Sequence, residues 1–376
     1  MSHAAARGRS GGLTLVELVL AIGLLSLLMV AVFNLLDGFL SLWEKSETRR
    51  QLVEESSGVL ELVAADLAAL EGGPRGDLLA EWVFFDTDGD SLREKAWPRI
   101  RLVRHASPAE IARLQAGSAV RDPGEGLLEV VWAVLPARRS GGDPDLRAEG
   151  VLWRGEQLYR GTRDKQEGPS FFDPSFTSAS GQLPPGAVNE VSHGVLWLGL
   201  RFAGQTTILG DPRAPASEPS RNEGGWKLGR GLADSSASWD AWSRARPDAE
   251  RHHWNQPAAG MPEPRGRPVL PRRVRLELEL ERERDLKRRT RLERVLNATD
   301  SAIEVGDGTR LPPKGGHVLI DAEWMEVVSI SANRAVVRRA ARGSRAAIHE
   351  AGARVHYGQS LLREVPIAMQ QEDWNL

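Results

Sequence analysis

Apolar positions along this chain change their spacing twice, and each change predicts a different element. No charged residue occurs from Leu18 to Leu36. A run that is apolar on all sides and this long can cross a bilayer as a helix. Leu13 to about Leu70 is expected to form one helix, because it lacks proline and its glycines (Gly23, Gly38, Gly58) stand alone. Such a helix would be roughly 85 Å long. Beyond the uniform run the apolar residues thin to Leu52, Val59, Leu60, Val63, Leu67 and Leu70, with charges between. That is the spacing of a helix that docks one stripe on a partner. Glu71-Gly72-Gly73-Pro74 ends it.

The remainder reads as strands. Short apolar-aromatic stretches bounded by Gly, Pro or Asp occur at Trp82–Phe85, Arg99–Arg104, Leu127–Leu135, Gly150–Arg154 with Glu156–Arg160, and Gly194–Phe202. Residues 203–268 are Gly, Pro, Ser, Arg and Trp without periodicity, a long loop. Val274-Arg-Leu-Glu-Leu-Glu-Leu280 alternates strictly, with one aliphatic and one charged face. Further short strands are expected at 302–305, 316–320, 323–330 and 335–339. The run 361–369 is expected to return as the last strand of the main sheet beside 274–280. Residues 285–358 therefore read as an insertion.

Composition narrows the classes. With 376 residues, 41% of them hydrophobic, the chain can bury one large or two small cores. Its 49 basic and 51 acidic residues give a net charge of −2, so no global field favours nucleic acid. It has no cysteine, which removes disulfides, thiolate metal sites and a Cys nucleophile. Arg7 and Arg9 precede the apolar run, and the flank after it mixes signs, which orients the N-terminus inside and the body outside.

The start of the apolar run carries a motif. A secretory signal has an apolar core of about 7–15 residues and no acid at its mouth. Here the core is longer and Glu17 sits inside its start. Gly12-Leu13-Thr14-Leu15-Val16-Glu17 resembles the class III signal of type IV pilins and type II secretion pseudopilins. The resemblance implies cleavage between Gly12 and Leu13 by a prepilin peptidase, N-methylation of Leu13, and a role for Glu17 in assembly. Glu17 would be the fifth residue of the mature chain and pair with the methylated amine of a neighbouring subunit. Leu13 stands where the family usually has Phe.

The order of later elements narrows the resemblance. Strand 194–202, then Trp239-Asp240-Ala241-Trp242, then Leu270-Pro271-Arg272-Arg273-Val274 before the alternating strand is similar to the J-type minor pseudopilins. That likeness covers roughly residues 1–135 and 190–281. It implies an α+β chain with the type IV pilin fold: a long N-terminal helix, transmembrane in its first half, packed on an antiparallel β-sheet head. The expected division is a leader at 1–12, a transmembrane helix at 13–38 and its amphipathic half at 39–71. The head would comprise 72–284 and 359–376, with the inserted β module at 285–358. That module resembles a small β unit of phage tail and other surface proteins, through Glu323, an Arg342-Gly343 turn and an Ala-x-x-His ending at His349.

Candidate chemistry is sparse. Asp86-Thr-Asp88-Gly-Asp90 presents three carboxylates at alternate positions, a calcium candidate. The glycine is misplaced for an EF-hand and position 12 is Trp97, so a solvated Asp-Gly hairpin turn is favoured. His252 and His253 are adjacent, a poor geometry for one ion, and His317, His349 and His356 suit core or surface roles. No Gly-x-Ser-x-Gly elbow or Walker loop occurs. The basic run 282–294 lacks interleaved aromatics, so a charged connection is favoured over nucleic-acid binding. The resemblance thus implies a non-catalytic, cofactor-free minor pseudopilin in the inner membrane with a periplasmic head. Its partners would be the prepilin peptidase/methyltransferase and other major and minor pseudopilins, I- and K-type among them. The alternatives are a minor pilin of a type IV pilus or DNA-uptake fibre, and a membrane-anchored adhesin-like binding protein.

Overall fold

The computed structural model describes residues 14–85, 95–116, 126–136, 149–161, 170–172, 188–203, 239–242, 268, 270–271, 273–281 and 289–368. The layout is α+β: an N-terminal apolar helix followed by a curled antiparallel sheet. Two units are distinguished, 1–52 and 53–376. Helix α1 (Leu15–Ala68) is continuous over 54 residues.

In the first unit, Leu15–Leu40 is long and apolar enough to cross a membrane, and none of it is buried in protein. Its side chains are aliphatic on every face, so it has no stripe to dock. Ser26 turns its hydroxyl back on the Ile22 carbonyl at 2.9 Å, which spares the span an unpaired polar group.

In the second unit, the rest of α1 buries Val59, Leu60, Val63 and Leu67 and exposes Glu54, Gly58 and Glu61. It packs against an eight-stranded sheet. The strands are β1 (Leu78–Phe85), β2 (Lys95–His105), β3 (Leu127–Pro136), β4 (Gly150–Leu158), β5 (Val188–Ala203), β6 (Trp239–Asp240), β7 (Arg273–Leu280) and β12 (Gln359–Pro366). Their order is β12-β7-β5-β4-β3-β2-β1-β6, and every neighbouring pair is antiparallel. The first five strands form a meander. Then β6 returns to the outer edge of β1, while β7 extends the other side from β5. The alternation of β7 buries Val274, Leu276, Leu278 and Leu280. Pairing of β12 with β7 runs without a slip from Gln359↔Leu280 to Pro366↔Arg273.

The sheet curls back on itself. Trp82 of β1 and Trp197 of β5 have ring centroids 5.5 Å apart although β2, β3 and β4 lie between those strands in the sheet. Phe202 of β5 likewise meets Trp239 of β6 at 5.9 Å. The two stretches expected at 150–154 and 156–160 are one strand. Gly155 does not break it: it pairs with Val131 of β3 in unbroken register, at a point where an added side chain would press on Val131 Cγ1 at 2.7 Å. Two strand-or-helix elements were not expected: α2 (Pro108–Gln115), between β2 and β3, and β6, which falls inside the stretch 203–268 expected as a loop and is a strand because its backbone pairs with Leu79 and Ala80 of β1.

Between β7 and β12 the chain builds a second sheet from β8 (Ala302–Glu304), β9 (His317–Ile320), β10 (Glu323–Ser331) and β11 (Arg334–Ala341), in the order β8-β11-β10-β9. It has its own core, centred on Ile303, Val318, Ile320, Met325, Val327 and Val337. An antiparallel bridge between Arg291 and Arg354 brings the two ends of this segment together.

Candidate functional site

Thr14 is the last residue before α1, and it pairs with Glu17. Glu17 Oε2 accepts from the Thr14 amide at 2.8 Å and from the Thr14 hydroxyl at 2.9 Å. Thr14 Oγ1 accepts from the Glu17 amide at 3.3 Å. This is a capping box. It satisfies two orphan donors at the helix end and holds the carboxylate beside the positive end of the helix dipole. The acid at the mouth of the apolar segment therefore has partners within its own chain. Gly12 and Leu13, the expected processing pair, lie outside the described residues. Thr14 was missed as a partner, although Thr-x-x-Glu is itself the signature of such a cap.

The next acid after Glu17 is Asp37. The helix rises about 30 Å from one to the other, the thickness of a hydrocarbon core. One turn on, Phe39 and Trp43 stack loosely, with centroids 6.3 Å apart and both rings exposed. The Trp43 indole, apolar but for its N–H edge, suits the boundary between lipid tails and water. Glu47 then accepts from Arg50 Nη2 at 2.7 Å and from Gln51 Nε2 at 2.8 Å, a fully polar surface.

The lower half of α1 is fixed to the head by a buried acid. Asp66 Oδ2 accepts from Trp132 Nε1 of β3 at 2.8 Å and from Arg154 Nε of β4 at 2.9 Å. Its Oδ1 accepts from Arg154 Nη2 at 3.0 Å and lies 2.8 Å from Arg104 Nε of β2, a charge contact whose N–H is not aligned on the oxygen. Arg104 continues to Glu110 of α2 at 2.6 Å, and Arg154 to Glu156 at 2.7 Å. Glu156 also receives Arg113 of α2. The Arg104 hydrogen bond holds the Glu110 carboxyl down at about 2. One network thus ties α1, three strands and α2 together. At the sheet margins, Glu55 accepts from Ser192 and Glu61 from Arg363, both at 3.0 Å.

Asp86, Asp88 and Asp90 lie outside the described residues; the last described pair before them is Phe85↔Lys95. Among the described residues no three His, Asp or Glu side chains converge as metal ligands. His252 and His253 are also outside the description. His349 and His356 are buried and bound to carboxylates: His349 to Asp321 and Glu323, His356 to Glu281. Lys95 is enclosed at the start of β2. Burial pushes its amine down to about 7, against the pull of Glu149 and Glu281.

No family model matches this chain, and neither does any curated protein or any solved structure.

Proposed function

We propose that this chain is a minor pseudopilin of a type II secretion system, of the J type. It is a non-catalytic subunit at the tip of a periplasmic fibre, where it helps to start assembly. The observation that carries the reading is the run Gly12-Leu-Thr-Leu-Val-Glu17 placed at the start of α1, whose first stretch is of membrane length and whose second docks on a curled antiparallel sheet. The head is a pilin-fold head. In this reading the peptidase cuts after Gly12, so the mature chain begins one residue before the capping Thr14. Leu13 then supplies a methylated amine close to a helix end that is already closed. The apolar stretch sits in the inner membrane and bundles with the helices of I- and K-type and major subunits. The head lies in the periplasm.

The first test is the intact mass of the membrane-extracted protein. Loss of residues 1–12 with gain of one methyl is expected. A chain starting at Met1, or one cut beyond residue 30, overturns the reading.

A second test separates the cap from the charge. Glu17→Gln can still accept from Thr14 but carries no charge to pair with a neighbour's amine. Both Glu17→Gln and Glu17→Ala should insert normally, since each removes a charge from an apolar segment. Both should lose incorporation into the fibre and secretion of its cargo. If Glu17→Gln assembles like the parent, the cap alone suffices and the pairing role is refuted.

A further inference from the structure

The charged face of β7 is not a solvated face. Glu277 and Glu279 alternate along it and Glu281 follows, and each receives groups from the 289–358 segment. Arg342 Nη2 meets Glu277 Oε1 at 2.5 Å and Nη1 meets Glu279 Oε2 at 2.7 Å. Glu279 Oε1 accepts from the Gly358 amide at 2.8 Å. Glu281 takes His356 Nδ1 at 2.7 Å on one oxygen and Arg289 Nε at 2.5 Å on the other.

Arg342 is the centre of this contact. Its guanidinium lies 4.9 Å from the Trp197 ring of β5 and 4.3 Å from the Trp324 ring of β10, so it is held between one aromatic from each sheet. The two indoles approach to 5.9 Å, and Trp82, Leu196 and Leu319 close the cluster. The arginine side chain is 8% exposed. Its backbone is left-handed at φ 49°, as is Ala340 at φ 54°. Non-glycine residues adopt that region at a cost and keep it only where surrounding contacts enforce it. Here the enforced geometry aims one side chain out of the small sheet and into the large one.

We infer that Arg342 is a docking finger and the Glu277–Glu279 pair its receptor. Together they fix the 289–358 sheet on the head in one orientation, as a rigid extension and not a tethered domain. Lysine cannot replace it, because a single ammonium cannot reach two carboxylates in a fixed fork while stacking flat on indoles. The inference does not depend on the secretion reading; it concerns how any partner would meet this face.

The test uses the full chain in detergent. The protein has no cysteine, so paired substitutions label cleanly. Leu62→Cys on α1 and Arg338→Cys on β11 are both exposed positions. Spin labels there should give one narrow distance distribution in the parent. Arg342→Gln should lose that single distribution and give a broad one, as should Glu277→Gln combined with Glu279→Gln. Arg342→Lys should do the same. Amide exchange protection of β9–β11 should persist in all of them, since the core of the small sheet is untouched. A broad distribution in the parent, or a narrow one retained in Arg342→Gln, overturns the inference. So does loss of protection in β9–β11, which would make Arg342 part of the small sheet's own fold.

Discussion

Asp66→Ala should cost the head about 3–5 kcal/mol, enough to unfold much of it near body temperature. The carboxylate is buried and is the shared acceptor of Trp132, Arg154 and the Arg104 charge. Removing it takes the acceptor from Trp132 Nε1 and leaves Arg104 only Glu110 and Arg154 only Glu156 as carboxylate partners in the interface between α1 and the sheet. Breaking one partner of a buried ion pair is far more damaging than never having built the pair. Asp66→Asn should fall between parent and alanine, because its oxygen can still accept from Trp132 while the charge is gone. Thermal unfolding followed by near-ultraviolet circular dichroism is suited to this, since Trp132 is itself in the network. A shift equivalent to less than about 1 kcal/mol would show that Glu110 and Glu156 suffice to hold the arginines.

The small sheet should fail in the same way at Glu323. Its carboxylate is fully buried and accepts from Arg339 Nε and Nη2 at 2.7 and 2.6 Å, from His349 at 2.9 Å, and from the amides of Ala340 and Ala347. Burial alone would raise its pKa, but the hydrogen bonds from Arg339, His349 and the two amides outweigh it and hold it at about 2. A depression of that size from 4.5 corresponds to about 3 kcal/mol. The sign follows from linkage. The stabilisation is fully present above about 4.5 and is lost as pH falls from there to about 2. Burial opposes the charge on His349, yet Asp321 and Glu323 raise its pKa above 6.5. Its contribution is present below 6.5 and is lost as pH rises through the folded value. Protection of the β10 amides, taken relative to intrinsic exchange at each pH, should therefore be greatest between about pH 4.5 and 6.5 and should fall in acid. Glu323→Gln should abolish the acid limb: it should lower stability by about 3 kcal/mol above about pH 4.5, a deficit that closes as the parent's own carboxyl protonates toward about pH 2. Exchange rates in β10 that track pH only through intrinsic amide chemistry would sink this account.

Much of the architecture was legible because it is local. Strict alternation at 274–280 fixes a strand whatever surrounds it, and Leu361 and Val365 stand opposite its Leu278 and Val274. The switch in α1 from uniform to striped spacing marks where the helix begins to pack. The capping boxes were equally local yet went unread. Thr14-x-x-Glu17 and Ser107-x-x-Glu110 close their helices with near-identical hydrogen bonds, and the second, followed at once by Pro108, marks the start of α2. What was not legible depends on distant partners. Nothing near Asp66 announces that its acceptors are used by residues 104, 132 and 154. The glutamates of β7 look like a solvent face until Arg342, more than sixty residues on, is brought against them. Of the N-terminal motif, Glu17 is placed on the Thr14 cap, while Gly12, Leu13 and the three aspartates after Phe85 fall outside the described residues.

The bridge between Arg291 and Arg354 has a kinetic side. Before it forms, β12 must find β7 across a long excursion of chain, and closing a loop of that length carries a large entropic cost. Once the small sheet has folded, its own stem holds the two chain ends together: Arg291 bridges Arg354, and the Val355 amide bonds to the Thr290 carbonyl at 3.1 Å. The search then shrinks to a few residues on either side. A segment inserted late in the chain thereby makes a non-local strand pairing behave as a local one. Damage to the small sheet would thus slow completion of the large one before it weakened it.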